Sequence, residues 1–228
     1  MSAGVSGVLA ALEAMHGGRP WHWRPGEAPF EVCVGAILVQ NTAWANAERA
    51  LDRLRAAGAL DAAAMAALGQ PELEELIRPA GQFRQKAKKL RAFLELCGEV
   101  GGLEPLFALP PAELRPRLLA TWGIGPETAD CILCYGAGRE AVVVDAYTIR
   151  LFRRLEMGPE SDRYEAWQGW LAAELAGVPG WQGAERLGRA HALIVLHAKH
   201  LCRKRAPRCG ECLLSGRCAF AAATNGPR

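Results

Sequence analysis

Nowhere in the chain does an uninterrupted apolar run approach the ~20 residues that a membrane-spanning helix requires. The N-terminus, MSAGVSGVLAALEAMHGG, has no basic stretch ahead of its short apolar segment, so it does not read as a secretory signal. Strand-type alternation is scarce, and there are no internal repeats or low-complexity linkers. A large excess of one sign of charge is missing too. The 27 Lys and Arg exceed the 24 Asp and Glu by 3, too few to announce a polyanionic partner unless they cluster. What remains is the expectation of a soluble cytoplasmic protein that neither enters nor crosses a membrane.

Half of the 228 residues are hydrophobic, enough for a real core in one or two domains. Ala, Leu, Glu and Arg dominate, and apolar residues recur at helical spacing, so the fold class is all-α. Helices are expected over residues 5–15, 43–57, 65–68, 73–77, 85–100, 146–155, 164–175 and 185–201. Residues 17–29 form a loop rich in Gly, Pro and Trp. Residues 30–38 are apolar throughout, and periodicity alone leaves helix and strand open. Pro110, Pro111 and Pro116 punctuate the chain before its most informative stretch.

That stretch is LATWGIGPETADCILCYGAGREAVVVDAYTIR, residues 119–150. Gly123 and Gly125 flank Ile124 in a turn, and Pro126 opens a helix, where its missing N–H is no loss. Such a helix start presents unpaired N–H groups suited to a phosphate. A short apolar run then ends in Asp145, which reads as an N-cap of the next helix.

Of eight cysteines, Cys202, Cys209, Cys212 and Cys218 fall within 17 residues in the spacing C-x6-C-x2-C-x5-C. Four thiolates so close can hold one [4Fe–4S] cluster or one zinc ion. Only Cys209 and Cys212 form the CxxC pair that zinc sites more often show twice. Cys131 and Cys134 lie in an apolar stretch and read as core residues. The cysteine-rich tail is basic, with Lys199, Arg203, Lys204, Arg205 and Arg208. So is the stretch Arg84, Lys86, Lys88, Lys89 and Arg91. Either is a solvated face or a set of phosphate contacts.

GIGPETAD followed by VVVDAYTIR resembles the helix-hairpin-helix–Gly-Pro-Asp superfamily of base-excision DNA glycosylases, in its endonuclease III branch. The likeness runs from about Trp21 to Cys218, with the motifs in family order. It implies a two-domain helix-hairpin-helix glycosylase fold. A six-helix barrel domain would span residues 23–137. A second domain, residues 1–22 and 138–228, would carry the catalytic Asp and an iron–sulfur loop. HLCRKRAPRCGECLLSGRC resembles that loop beyond its cysteines, so Cys202, Cys209, Cys212 and Cys218 would bind a [4Fe–4S] cluster with a mainly structural role. The partner implied is double-stranded DNA with a damaged base, held by a monomer in the groove between the domains.

The resemblance also distributes roles. Asp145 stands at the catalytic aspartate, which stabilises the sugar cation and orients or deprotonates water. Glu127 stands where bifunctional members carry a Lys that attacks the sugar; a carboxylate cannot form that Schiff base, so lyase activity is expected to be absent or weak. Gln40 matches the residue inserted into the gap left by the flipped base, with Asn41 and Thr42 beside it. Gln82 takes the position of an apolar wedge, with Phe83 as the alternative. Gly123, Ile124, Gly125, Thr128, Lys86, Arg203, Lys204 and Arg205 are candidate DNA contacts, and Trp44, Trp122 and Tyr147 are candidate pocket aromatics. The pattern QNT…W, the acid at 127, and ADCILCYG with VVVDAYT look most similar to the 3-methyladenine glycosylase subgroup. An aromatic pocket suits such a cationic alkylated purine. The alternatives are an endonuclease III-type enzyme on oxidised pyrimidines, a thymine or uracil mismatch glycosylase, a non-catalytic lesion or abasic-site binder, and a zinc-stabilised structural protein.

Overall fold

The computed structural model describes residues 4–225. Among these, every regular element is a helix. In chain order they are α1 (Val5–His16), α2 (Pro29–Leu38), α3 (Trp44–Ala56), α4 (Ala62–Ala67), α5 (Gln70–Leu76), α6 (Phe83–Glu99), α7 (Leu103–Ala108), α8 (Pro111–Ala120), α9 (Pro126–Cys131), α10 (Ala146–Arg154), α11 (Tyr164–Ala176), α12 (Gly183–His200) and α13 (Ala219–Asn225). The chain divides into two compact units, one of Pro25–Arg139 and one that joins the N-terminal stretch through Arg24 to everything from Glu140 onward.

In the middle unit, α2 is the central helix. Phe30 and Val32 through Leu38 are all buried, with α3, α6 and α9 packed around them. A helix apolar on every side has no amphipathic period, which is why its pattern could not separate helix from strand. The region of Pro110, Pro111 and Pro116 holds two helices that the sequence reading passed over. Pro111 occupies the first helical position of α8, and Pro116 lies inside it, forgoing the bond its N–H would make to the Ala112 carbonyl. Past α9 the chain makes a π-helical turn, Ile132–Gly136, which packs on α2.

The other unit is built on α12, where His191 through Ala198 are buried without interruption. α1 packs along it through Val5, Val8, Leu9 and Leu12, and α10 through Leu151 and Phe152. Trp167, Leu171 and Leu175 of α11 complete this core. The cysteine-rich tail holds two short 3-10 turns and α13.

Candidate active site

Asp145 ends an extended segment whose Val143 and Val144 are buried, which draws the aspartate inward until it is 8% exposed. It caps α10. Its Oδ1 accepts hydrogen bonds from Thr148 N at 2.7 Å and Thr148 Oγ1 at 2.9 Å. Its Oδ2 lies 3.6 Å from His191 Nε2 on α12. Burial pushes the carboxyl up, but His191 and the two Thr148 donors outweigh it and hold Asp145 below its ordinary 3.8. Asp145 is therefore a buried carboxylate that stays ionised at neutral pH. The Trp21 ring stands edge-on to His191 at 6.0 Å between centroids, and the half-stacked His22 ring lies 4.1 Å from Trp21. Lys199, the last residue but one of α12, is drawn below its ordinary value by burial and held up by the charge of Asp145. The sequence reading missed His191, Trp21 and His22. A lone His in an apolar helix and a Trp-His-Trp loop carry no signal until α12 and the N-terminal segment share a unit.

Tyr147 belongs to this unit and lies under the Arg150 guanidinium, 5.0 Å from its ring centre. The other two pocket candidates belong to the middle unit. Trp44 is half-buried and donates to Glu48 Oε1 at 3.3 Å, whereas Trp122 is 54% exposed on the hairpin.

The hairpin turn is held from below. Gly123 has φ +83, and the Lys89 methylenes pack where a Cβ would stand. Ile124 is buried, Gly125 is exposed and precedes α9, and Glu127 is exposed in the first turn of α9. Gln40 is engaged on both sides of its amide. Its Nε2 donates to Gly123 O at 3.1 Å and to Thr128 Oγ1 at 2.9 Å, and its Oε1 accepts from Lys89 Nζ. Gln40, which aligns with the residue inserted into the gap, is thus tied to the hairpin, and Thr128 is 8% exposed. The exposed side chain is the next one. Asn41 is exposed with φ +55, a left-handed backbone that Asn adopts more readily than most residues other than glycine. Thr42 accepts from Asn46 Nδ2 at 2.9 Å. Gln82 repeats the pattern of Asn41: exposed, with φ +46. Phe83 lies under Arg78, 4.6 Å from its ring centre, which leaves Gln82 as the protruding residue.

Lys86 is also corrected. It is 2% exposed, and its Nζ donates to Leu38 O at 2.8 Å and Ala80 O at 2.7 Å. It caps the C-terminus of α2 rather than reaching for phosphate. Arg91 likewise binds the Met65, Ala66 and Leu68 carbonyls at the end of α4. Of that basic stretch, Arg84 and Lys88 are exposed. Arg203, Lys204 and Arg205 are exposed together on the tail.

Cys202, Cys209, Cys212 and Cys218 line one pocket of about 360 Å³, open in part to solvent, together with Leu151, Leu155 and Phe220. Among the described residues no three metal-ligating side chains are gathered tightly enough for a single ion. Two N–H groups already point at these sulfurs: Arg154 Nη1 to Cys202 Sγ at 3.1 Å and Leu214 N to Cys212 Sγ at 3.4 Å. The remaining four cysteines are buried in the middle unit, where burial pushes Cys97 up to about 11 and Cys134 up to about 12. They are inert core thiols.

Comparison with known proteins bears on this arrangement. The family described as HhH-GPD superfamily base excision DNA repair protein matches residues 34–170. A Methanocaldococcus jannaschii protein, whose name is that of an inferred DNA repair glycosylase, is 39% identical over 200 residues, 86% of this chain and 88% of its own. Among solved structures, the H. pylori 3-methyladenine DNA glycosylase bound to 1,N6-ethenoadenine superposes with a TM-score of 0.71 at 28% identity, covering 87% of this chain and 98% of that one. A non-covalent endonuclease III–DNA complex superposes with a TM-score of 0.77 at 20% identity, covering 95% and 94%.

Proposed function

Because the chain belongs to the HhH-GPD superfamily of base excision DNA repair proteins, and is a DNA glycosylase on that ground, we propose that it is a monofunctional one that removes an alkylated purine by water attack. The observation that carries this is the pairing of a buried, ionised Asp145 with an acid, Glu127, at the hairpin position where lyases of this family keep their amine. As the N-glycosidic bond breaks, its electron pair leaves on the base. A cationic alkylated purine departs neutral and needs no proton. The sugar left behind carries positive charge, which the fixed carboxylate of Asp145 stabilises. Water then bonds to C1′ and yields its proton to Asp145. Trp21 and His22, beside the Asp145–His191 pair, offer aromatic faces to a cationic base. The similarity to the 3-methyladenine glycosylase supports the same substrate class. Asn41 and Gln82, exposed on left-handed turns, are the side chains we assign to the duplex, with Gly123, Gly125 and the Arg203–Arg205 cluster on its phosphates.

The four cysteines fit a [4Fe–4S] cluster better than zinc. They surround a pocket rather than a point, and a cube takes one thiolate at each iron, whereas zinc needs all four in one tetrahedron. When bound, such a cluster would cross-link the basic tail and supply at most one-electron chemistry. Arg154 and the Leu214 N–H would stabilise its ligands.

A second reading, a glycosylase with lyase activity, is favoured by one observation: Lys199 is an amine that burial draws below its ordinary value, although the charge of Asp145 acts in the opposite direction. One assay separates the two. Duplexes carrying single lesions (3-methyladenine-type alkylation, thymine glycol, uracil opposite guanine, a preformed abasic site) are incubated with protein, then examined for scission with and without hot alkali. Scission of the alkylated duplex only after alkali is expected. Alkali-independent scission, abolished by Lys199→Ala, would replace this reading with the second.

A further inference from the structure

We infer that His191 is a positioning residue for base excision: its Nε2–H fixes the second carboxylate oxygen of Asp145, so that the carboxylate faces the sugar cation in one orientation. This rests on the assignment of Asp145 as the catalytic carboxylate. One oxygen is already committed, since Thr148 N and Oγ1 both bind Oδ1. Those donors come from the first turn of the helix that Asp145 caps, so alone they leave Oδ2 to be set by whatever lies opposite. What lies opposite is His191 Nε2, 3.6 Å away, with the two side chains only 7% and 10% exposed.

At 3.6 Å the contact is within ion-pair reach and just longer than a hydrogen bond; an ionised carboxylate is an acceptor only, so it is a proton on Nε2 that would close it. His191 comes from α12 and Asp145 from α10, two helices packed on each other in one unit. Holding the two oxygens from different helices is what makes the carboxylate plane a property of the fold. Trp21, edge-on to the imidazole, keeps the ring in place. The other charged or titratable groups acting on this pair are Lys199 of α12, whose charge acts on Asp145, and His22, which faces His191. A carboxylate this buried, once stripped of a donor, drifts toward its neutral acid, and a neutral acid does not stabilise a cation.

The test uses the full-length protein and the alkylated duplex. His191→Phe keeps the ring and removes the donor; His191→Gln keeps an N–H donor; His191→Ala opens a space that added imidazole fills. Three quantities are read: the single-turnover excision rate, the Kd for a duplex with an abasic-site analogue, and the pH–rate profile. His191→Phe is expected to lose roughly 10- to 100-fold in rate, the range for a misplaced catalytic group. Its Kd should stay within about threefold of the original, the scale of a binding energy left intact. Its acid limb should move to higher pH as Asp145 titrates closer to an unassisted carboxyl. His191→Gln should recover most of the rate, and imidazole should restore His191→Ala. Should His191→Phe fail to fold, the imidazole rescue decides alone. A His191→Phe protein with the original rate and acid limb overturns the inference, as does a rate loss that neither Gln nor imidazole repairs. If Asp145→Asn also keeps full turnover, the catalytic assignment has failed. If Asp145→Asn is dead and His191→Phe is unaffected, only the positioning role falls.

Discussion

Lys86 shows how much a single side chain does here that its type does not announce. Its ammonium is buried on the carbonyls of Leu38 and Ala80, and burial lowers it from 10.5 to about 8. The unfolded chain therefore holds a proton between about pH 8 and 10.5 that the folded protein has released. Stability should climb across that window, by up to about 3 kcal/mol at 1.36 kcal/mol per unit. It should not climb below pH 8, where both states are protonated. Lys86→Met should lose the climb and, with two carbonyls orphaned, be less stable throughout, as urea unfolding at several pH values would report. The Asp130–Arg115 pair is the second case. Asp130 is 1% exposed and accepts from Arg115 Nε at 2.8 Å and Nη2 at 3.0 Å, tying α8 to α9 of the hairpin. Asp130→Ala should cost about 2 kcal/mol by removing the buried bidentate acceptor of Arg115, read as a lower urea midpoint with unchanged slope. Neither residue was legible in the sequence. A Lys in a basic run and an Asp in a hairpin helix look solvated until the contacts across 48 and 15 positions are seen.

At the scale of the element, α10 joins the two candidate centres of its unit. It opens on Asp145 and ends on Arg154, which binds Cys202 Sγ and the Arg203 carbonyl, at 3.0 Å for the latter, while Arg150 binds the Cys202 carbonyl at 3.1 Å. Capping and chemistry meet in Asp145 and separate by substitution. Asn caps a helix as well as Asp but carries no charge, so Asp145→Asn should abolish excision with a loss of well under 1 kcal/mol from the cap itself. Asp145→Ala should lose the cap as well, about 1 kcal/mol more, visible in thermal unfolding. At the other end, Arg154→Ala removes the donor to Cys202, one of the four proposed cluster ligands, and frees the start of the tail. Purified Arg154→Ala should carry less iron per chain than the original protein and release it faster to a chelator. The sequence announced α10, α11 and α12 because each combines an apolar stripe with a clear start and stop. It hid α7 and α8, since prolines read as breaks unless their place in the first turn is known. The surroundings of Gln40 were hidden for a related reason: spacing brings Gln40 and Asn41 to the same loop, but only the fold shows that Gln40 binds Gly123 O while Asn41 is exposed on a left-handed turn.

At the scale of the whole molecule, what was legible was the order of motifs. The hairpin, the aspartate after an apolar run and the four cysteines lie in separate places of the sequence, and each carries its own chemistry. The grouping of the N-terminal helix with the C-terminal half was not legible from composition, because α1 is joined to α12 by packing over more than 170 positions and by Arg189 binding Glu13 at 2.8 Å. That grouping brings Trp21 and His22 to His191, and with them the aromatic faces that the local sequence assigned elsewhere. In the proposed function water, served by Asp145, is the nucleophile, and no amine of the protein takes its place. The most direct measurement is release of the alkylated base in a single turnover with borohydride present, for the original protein and Asp145→Asn. Free base at an undiminished rate with no protein–DNA adduct is expected for the first, and no release for the second. A stoichiometric adduct trapped by borohydride, or base release by Asp145→Asn at the original rate, would contradict it.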